Sequence, residues 1–302
     1  MDYIPTVSVV IPTYNDATYL DRLLLALSKQ KHTSFEVIIS DANSNDKTKE
    51  VVNYYKDRLT IELVQNPPAG PGVGRNQGAE VARGEWLLFL DADDDIDDTR
   101  FINTLTTETE KHSWNTSTAK VKHRDANFME RFGSALNYNY IKLLSHTKHP
   151  VAPGWCILTK KSVFNEVGGF DLGIRFGEDY DYVIRASKNG FGFVENTSYY
   201  VDLRRSREEG IKFFLKGVAN EIYRHTHRYK IKKNSVTYDF GTHKELGISP
   251  AGNLHNSAQP FLAETAPGSL DVVKSIPHSP EKLSAQKSPA YNRTDHLRDK
   301  SK

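Results

Sequence analysis

The sequence predicts an α/β domain built on a mainly parallel sheet, and two observations carry that prediction. Short apolar runs alternate with stretches of helical periodicity through the first 100 residues. That alternation is the order βαβ units impose. Polar clusters follow the first, second and fourth runs directly (Pro12 to Asn15, then Asp41, then Asp91 to Asp95). The carboxyl ends of parallel strands are where such sheets bind ligands.

Taken in order, residues 7–11 form a β-branched run that stops at Pro12 and reads as a buried strand. Asn15 or Asp16 is placed to cap a helix carrying Leu20, Leu23, Leu24 and Leu27 at helical spacing. A second strand at 36–39 ends in the turn-rich stretch 40–46. A helix is expected over 47–56, with Val51, Val52 and Tyr55 on one face, and strands over 60–64 and 86–90. Residues 70–74, rich in glycine, read as a loop that lets Arg75 and Asn76 approach a ligand. A dinucleotide fingerprint is excluded, because the spacing is wrong and the stretch does not open the first βαβ unit. Farther on, helices are expected at 128–144, 161–167 and 180–188, a short strand at 156–158, a turn at 168–171 and a strand at 199–203.

Composition excludes several classes. Cys156 is the single cysteine of 302 residues, so an internal disulfide framework and a cysteine-based zinc site are ruled out. A formal net charge of +2 gives no bulk electrostatic reason to bind nucleic acid. No apolar run approaches the roughly 18–20 residues that span a bilayer, and residues 1–6 lack the features of a signal peptide. The expectation is a soluble or peripheral protein on the cytosolic side. Beyond residue 245 the character changes: six of the 13 prolines lie between Pro250 and Pro289. That segment cannot offset its ordering entropy and is expected to be disordered.

The chemistry concentrates at Asp91-Ala92-Asp93-Asp94-Asp95, at the end of an apolar strand. Carboxylates packed this closely repel one another and favour a cation. Hard oxygen donors suit Mg²⁺ or Mn²⁺, which takes one or two carboxylates together with substrate phosphates. An EF-hand is rejected, since Ile96 and Ile102 stand where its glycine and glutamate belong. A phosphohydrolase with Asp91 as nucleophile, and a solvated acidic turn, remain open at this point.

Read together, five segments resemble the family 2 glycosyltransferases. They are 7–15 (VSVVIPTYN), 38–48 (IISDANSNDKT), 74–79 (GRNQGA), 84–94 (GEWLLFLDADD) and the pair 168–171 (GGFD) and 177–181 (GEDYD). The resemblance covers roughly residues 5–210. It implies the glycosyltransferase-A fold with a Rossmann-like sheet, a nucleotide-sugar donor, a divalent cation and inversion at the anomeric carbon. It further implies that Pro12, Tyr14, Asn15, Asp41, Arg75, Asn76, Asp91 and Ala92 bind the nucleotide sugar. Asp41 would read uracil, which makes UDP-sugars the expected donors. Asp91 and Asp93 would hold Mn²⁺ or Mg²⁺. Asp179 would be the general base, with Glu178 binding the acceptor or orienting Asp179. Apart from the resemblance, Trp155 is either a sugar-stacking acceptor residue or a core residue, and Arg204 and Arg205 either contact the diphosphate or form a solvated surface. The acceptor expected is a glycan or a lipid-linked sugar. A non-catalytic nucleotide-sugar or glycan-binding module is the third reading kept open.

The expected organisation is a catalytic domain over 1–210, with a nucleotide-sugar half to about residue 100 and an acceptor half after it. A basic helical extension over 211–244 and the tail over 245–302 follow. The stretch 211–233 mixes Phe213, Phe214, Leu215, Val218, Ile222 and Tyr223 with lysines and arginines. A basic amphipathic helix of that kind either packs on the domain or lies on an anionic membrane.

Overall fold

The computed structural model describes residues 4–31, 34–124, 126–174 and 177–203, together with Arg207, Ala219, Ile222, Tyr223 and Thr226. The expected tail over 245–302, and all but four residues of the expected extension over 211–244, lie outside the described residues.

Seven strands form one sheet in the order β3-β2-β1-β4-β6-β5-β7. They are β1 (Val7–Thr13), β2 (Phe35–Asp41), β3 (Ile61–Gln65), β4 (Trp86–Leu90), β5 (Thr116–Lys122), β6 (Cys156–Lys160) and β7 (Phe191–Tyr200). The first four are parallel to one another. β6 runs antiparallel to both β4 and β5, and β7 pairs parallel with β5. The strand order reverses at β1 and β4, so the crevice at their carboxyl ends is the topological switch point.

Alternate residues of the strands feed two cores, as the pleat requires. Val7, Val9 and Ile11 of β1 with Leu88 and Leu90 of β4 meet the leucines of α1 (Ala17–Ser28), Val51, Val52 and Tyr55 of α2 (Thr48–Tyr55), and Phe101 and Leu105 of α4 (Phe101–Lys111). Val10, Leu87 and Phe89 point the other way. They pack against α3 (Pro71–Val81), α6 (Lys161–Val167) and α7 (Glu178–Ala186). The remaining helix, α5 (Phe128–Ser145), sits on β5 and β7 through a third, smaller core of Ile141, Leu144 and Val151.

Several elements depart from the sequence expectation, each for a local reason. Residues 71–81 are a helix rather than a loop. Pro71 occupies its first turn, where the missing N–H costs nothing. Its buried residues are Gly72, Gly74, Arg75, Gly78 and Ala79, so it lacks the large apolar residues that announce a helix. A Cβ on Gly78 would lie 2.4 Å from Val10 Cγ1, so the helix can sit this low on β1 only with glycine there. Gly78→Ala is expected to destabilise the fold by about 1–3 kcal/mol through overpacking, measured by urea unfolding against the parent.

β5 was hidden because its sequence is polar. Thr116, Ser117 and Thr118 are buried, and their hydroxyls are partnered by Thr159 at 3.0 Å, Thr109 at 2.7 Å and the Cys156 carbonyl at 2.7 Å. β7 begins at Phe191 rather than 199. At α1 neither expected cap acts: Asp16 makes no side-chain cap hydrogen bond. The Ala17 N–H donates instead to Asp46 Oδ2 at 2.9 Å. Asn15 adopts φ 54°, and its side chain accepts from the Asn45 N–H at 2.9 Å, tying the β1 turn to the β2 turn.

Candidate active site

The site assembles from four pieces of chain. β4 ends in a tight turn in which the Asp94 N–H donates to the Asp91 carbonyl at 3.1 Å and the Asp91 N–H donates to Asp94 Oδ2 at 2.8 Å. α3 sends in Arg75. The N-terminus of α7 supplies Glu178 and Asp179. The chain entering β6 brings Gly154.

Arg75 holds these pieces together. Its guanidinium donates to Asp91 Oδ1 at 2.7 Å and to Glu178 Oε1 at 3.1 Å, and its side chain is only 3% exposed. The guanidinium carbon lies 5.4 Å from the centre of the Phe170 ring. Gly154 is what lets the loop pass: a Cβ there would lie 2.4 Å from Arg75 Nη2. The same residue's N–H donates to Asp179 Oδ2 at 2.7 Å, while the Tyr180 N–H donates to Oδ1 at 2.8 Å. Thus the strand-tip Asp91 and the α7 acid pair, far apart in sequence, form one cluster around one buried cation.

The charge balance is uneven. Burial alone would push the Arg75 guanidinium down, but Asp91, Glu178 and Asp179 outweigh it and hold its pKa above the ordinary value. Burial and then Asp179 push Glu178 up to about 7, against the pull of Arg75. Burial also raises Asp179, opposed by Arg75 and by the Gly154 and Tyr180 N–H groups. Asp94 lies well above the carboxylate range, through burial and then the charges of Asp91 and Asp93. Its Oδ1 is buried with no hydrogen-bond partner. Several acids thus share one buried cation, Arg75.

The other predicted residues fall in two groups. Pro12 lies within β1, which runs on to Thr13 instead of stopping at the proline, Tyr14 and Asn15 form the turn after it, and Asp41 closes β2. Asp41 is fully buried and organises its own turn: Oδ1 accepts from the Ser44 N–H at 3.1 Å and the Ser44 hydroxyl at 2.5 Å, and Oδ2 accepts from Gln65 at 2.9 Å. Asn76 is committed to the 168–171 turn. Its amide donates to the Phe170 carbonyl at 2.9 Å, and its oxygen accepts from the Phe170 N–H at 2.9 Å. Ala92 is buried in the larger core, and Trp155 is half-buried against it. Arg204 and Arg205 lie outside the described residues.

Sequence reading missed Asp94 as a site residue, although it stood in the quoted cluster; its neighbours' carboxylates masked its separate role. It also missed a cleft beside Asp93, lined by Arg22, Asp95, His123, Arg124 and Tyr200 among others. Arg124 bridges Asp95 at 2.9 Å and Asp97 at 2.5 Å, and its guanidinium carbon lies 4.1 Å from the Tyr200 ring centre. Nothing local in the sequence signals that arrangement, which depends on Asp95 pairing with Tyr200 across the sheet.

Residues for a divalent cation are present. Asp91 and Asp93 offer hard oxygen donors at the strand tip, and the partnerless Asp94 oxygen and excess of acid leave positive charge wanting there. Among the described residues no group of three or more His, Cys, Asp or Glu converges as a closed cage. A cation completed by substrate phosphates needs only one or two protein carboxylates.

A parallel half-sheet with aspartates at the tip of its fourth strand, joined to a mixed half that brings an acid pair to the same crevice, defines a glycosyltransferase of the glycosyltransferase-A fold. The chain belongs to glycosyl transferase family 2, whose description matches residues 8–168. Among its relatives is a PGL/p-HBAD biosynthesis glycosyltransferase of Mycobacterium tuberculosis, 28% identical over 212 residues that cover 64% of this chain and 80% of the relative. Another is the GalNAc(5)-diNAcBac-PP-undecaprenol beta-1,3-glucosyltransferase of Campylobacter jejuni, 40% identical over 95 residues covering 30% of this chain and 31% of that one. Of solved structures, Staphylococcus aureus TarS superimposes with a TM-score of 0.56 at 25% identity, covering 65% of this chain and 36% of that chain. The chain therefore spans about a third of the length of TarS. Family membership selects the transferase over the phosphohydrolase and the binding module.

Proposed function

We propose that the protein transfers a sugar from a UDP-sugar to a hydroxyl of a glycan or lipid-linked acceptor, inverting the anomeric carbon, with Mn²⁺ or Mg²⁺ required. One observation carries the reading: Arg75 bridges Asp91 to Glu178 at the switch point, with Asp179 held alongside by Gly154. That arrangement supports adjoining places for the donor's diphosphate and the acceptor's reacting hydroxyl. A S. aureus TarS structure in complex with UDP-GlcNAc, 23% identical with a TM-score of 0.53, and a Pyrobaculum calidifontis mannosyltransferase in complex with GDP-Man and Mn²⁺, 20% identical with a TM-score of 0.55, share this fold.

In this mechanism Asp179 accepts the proton of the acceptor hydroxyl, and that oxygen forms the new bond to the anomeric carbon. The bond from that carbon to the diphosphate breaks on the opposite face, and its electron pair leaves with UDP. Arg75 supplies permanent positive charge beside the departing phosphates. Asp91 and Asp93 would hold the divalent cation, which when bound neutralises further phosphate charge. Asp41, at the end of β2, would accept the uracil imide N–H in exchange for one of its present contacts to Ser44 or Gln65.

Asp93→Ala tests the metal assignment. UDP should raise the melting temperature of the parent chain more with Mn²⁺ than without, because stabilisation follows occupancy. In the variant the Mn²⁺-dependent increment should vanish while the UDP-free melting temperature stays near the parent's. An increment that survives the substitution removes Asp93 from the metal site.

A further inference from the structure

We propose that the outward face of α5 is a docking surface for an anionic lipid bilayer. Four large apolar side chains stand in solvent along this helix: Phe128 is 81% exposed, Phe132 56%, Leu136 57% and Leu143 67%. They are not scattered. With Arg131, Ala135, Asn139 and His146, all exposed, they fall within an arc of roughly 140° at 100° per residue. The stripe runs for about 27 Å from Phe128 to His146 at 1.5 Å per residue. The opposite side of the same helix is already used, through Ile141 and Leu144 packed with Val151, Tyr140 and Phe193.

The charge around the stripe says what covers it. Arg131, His146 and Lys148 are exposed along it. Glu130 is the single acid of α5, and it is turned to Arg207, which donates to it at 2.8 Å and 3.0 Å. Glu130 also closes the capping box with Asn127 that starts the helix. The exposed carboxylate beside this face, Glu195 of β7, is bound by Lys142 and Tyr138 of α5, which leaves Arg131, His146 and Lys148 as the basic groups along the stripe. A helix with Phe and Leu on its outer face and a surplus of basic residues beside them matches an interface-lying amphipathic helix on anionic headgroups. Among the described residues no helix is long and apolar enough to cross a membrane, so the contact is with the surface.

Position gives the contact a use. α5 begins a few residues after β5, whose end carries His123 and Arg124 in the cleft beside Asp93. It leads through Val151 to Gly154, which binds Asp179. The buried side of α5 packs with Tyr180, the residue after Asp179, so a bilayer on α5 would hold a lipid-anchored acceptor near Asp179. This last clause rests on the proposed transfer to a lipid-linked acceptor; the docking itself does not.

The test is co-sedimentation of the full chain with phosphatidylglycerol-containing vesicles and with pure phosphatidylcholine vesicles, without donor. The parent should partition onto the anionic vesicles, less so as salt is raised. The variant Phe128→Ser, Phe132→Ser, Leu136→Ser, Leu143→Ser should bind at least about ten-fold more weakly, while Ile4→Ser, which removes an apolar residue 75% exposed elsewhere, should bind like the parent. Thermal melting with UDP checks that the four-site variant is folded. The proposal is overturned if the parent stays in the supernatant, or if the four-site variant sediments like the parent. It is also overturned if Phe213→Ser, Phe214→Ser alone abolishes binding, or if the four-site change only converts a dimer to a monomer. Transfer to a soluble acceptor is measured separately, so failure of docking and failure of the transferase reading are distinguishable.

Discussion

Asp179→Asn is expected to bind UDP as tightly as the parent and to transfer sugar about 10²–10⁴-fold more slowly, the usual range for losing a positioned general base. The substitution is nearly isosteric. It leaves an oxygen to accept one of the two backbone N–H groups, Gly154 or Tyr180, that hold the carboxylate now. The cost of losing the other is of the order of 1 kcal/mol. It is offset in part because burial disfavours the charge of Asp179 in the parent. The fold should therefore survive, and UDP-dependent melting should confirm it. What the amide cannot do is accept a proton from the acceptor hydroxyl. The parent's pH profile provides a second reading of the same assignment. A base must be ionised to act, and burial raises the pKa of Asp179. Transfer should thus rise with pH along an acid limb above the ordinary carboxylate value of 3.8, and that limb should be absent from the residual rate of the variant. A variant rate within a few-fold of the parent's would remove Asp179 as base.

The parts of this site legible in the sequence were those announced by strand ends. Asp41 and Asp91 follow apolar runs whose length and β-branching mark them as strands, and a parallel sheet places such residues at its ligand edge. Asp179 was legible only through the order of five motifs. No periodicity connects α7 to β4, and the link is made in space by Arg75. What stayed hidden has one physical character: it depends on how close two backbones come or on where a buried hydroxyl finds a partner. α3 looked like a loop because it packs through glycines, and β5 looked like a linker because its core side chains are threonine and serine. Gly154 has no sequence signal of its own, yet it passes Arg75 and binds Asp179. In each of these places the residue is chosen for what it lets approach, which a hydropathy pattern does not record.

Arg75→Met should produce the largest stability change in the chain, and the sign of its pH dependence identifies the cause. Methionine is unbranched and adaptable enough to fill the channel beside Gly154 and Phe170, so the loss is of charge rather than volume. Asp91 and Glu178 would then lose their guanidinium partner, and removing one member of a buried ion pair costs about 3–5 kcal/mol. Acids whose folded pKa is raised bind protons more tightly in the native than in the unfolded state, so their penalty grows as pH rises. In the parent, burial and Asp179 already place Glu178 near 7, against an ordinary 4.5. Stability conferred by its protonated form is therefore lost as pH climbs between those values. Without Arg75, which lowers both Glu178 and Asp179, the folded values move higher still. Urea unfolding should consequently show a large deficit at pH 8 that narrows toward pH 5, where the acids take up protons. Adding Glu178→Gln to Arg75→Met should return part of the deficit at pH 8, since the uncompensated charge is removed. A deficit equal at both pH values, or one untouched by the second substitution, would mean that Arg75 stabilises by packing on Phe170 and not by holding the acid cluster together.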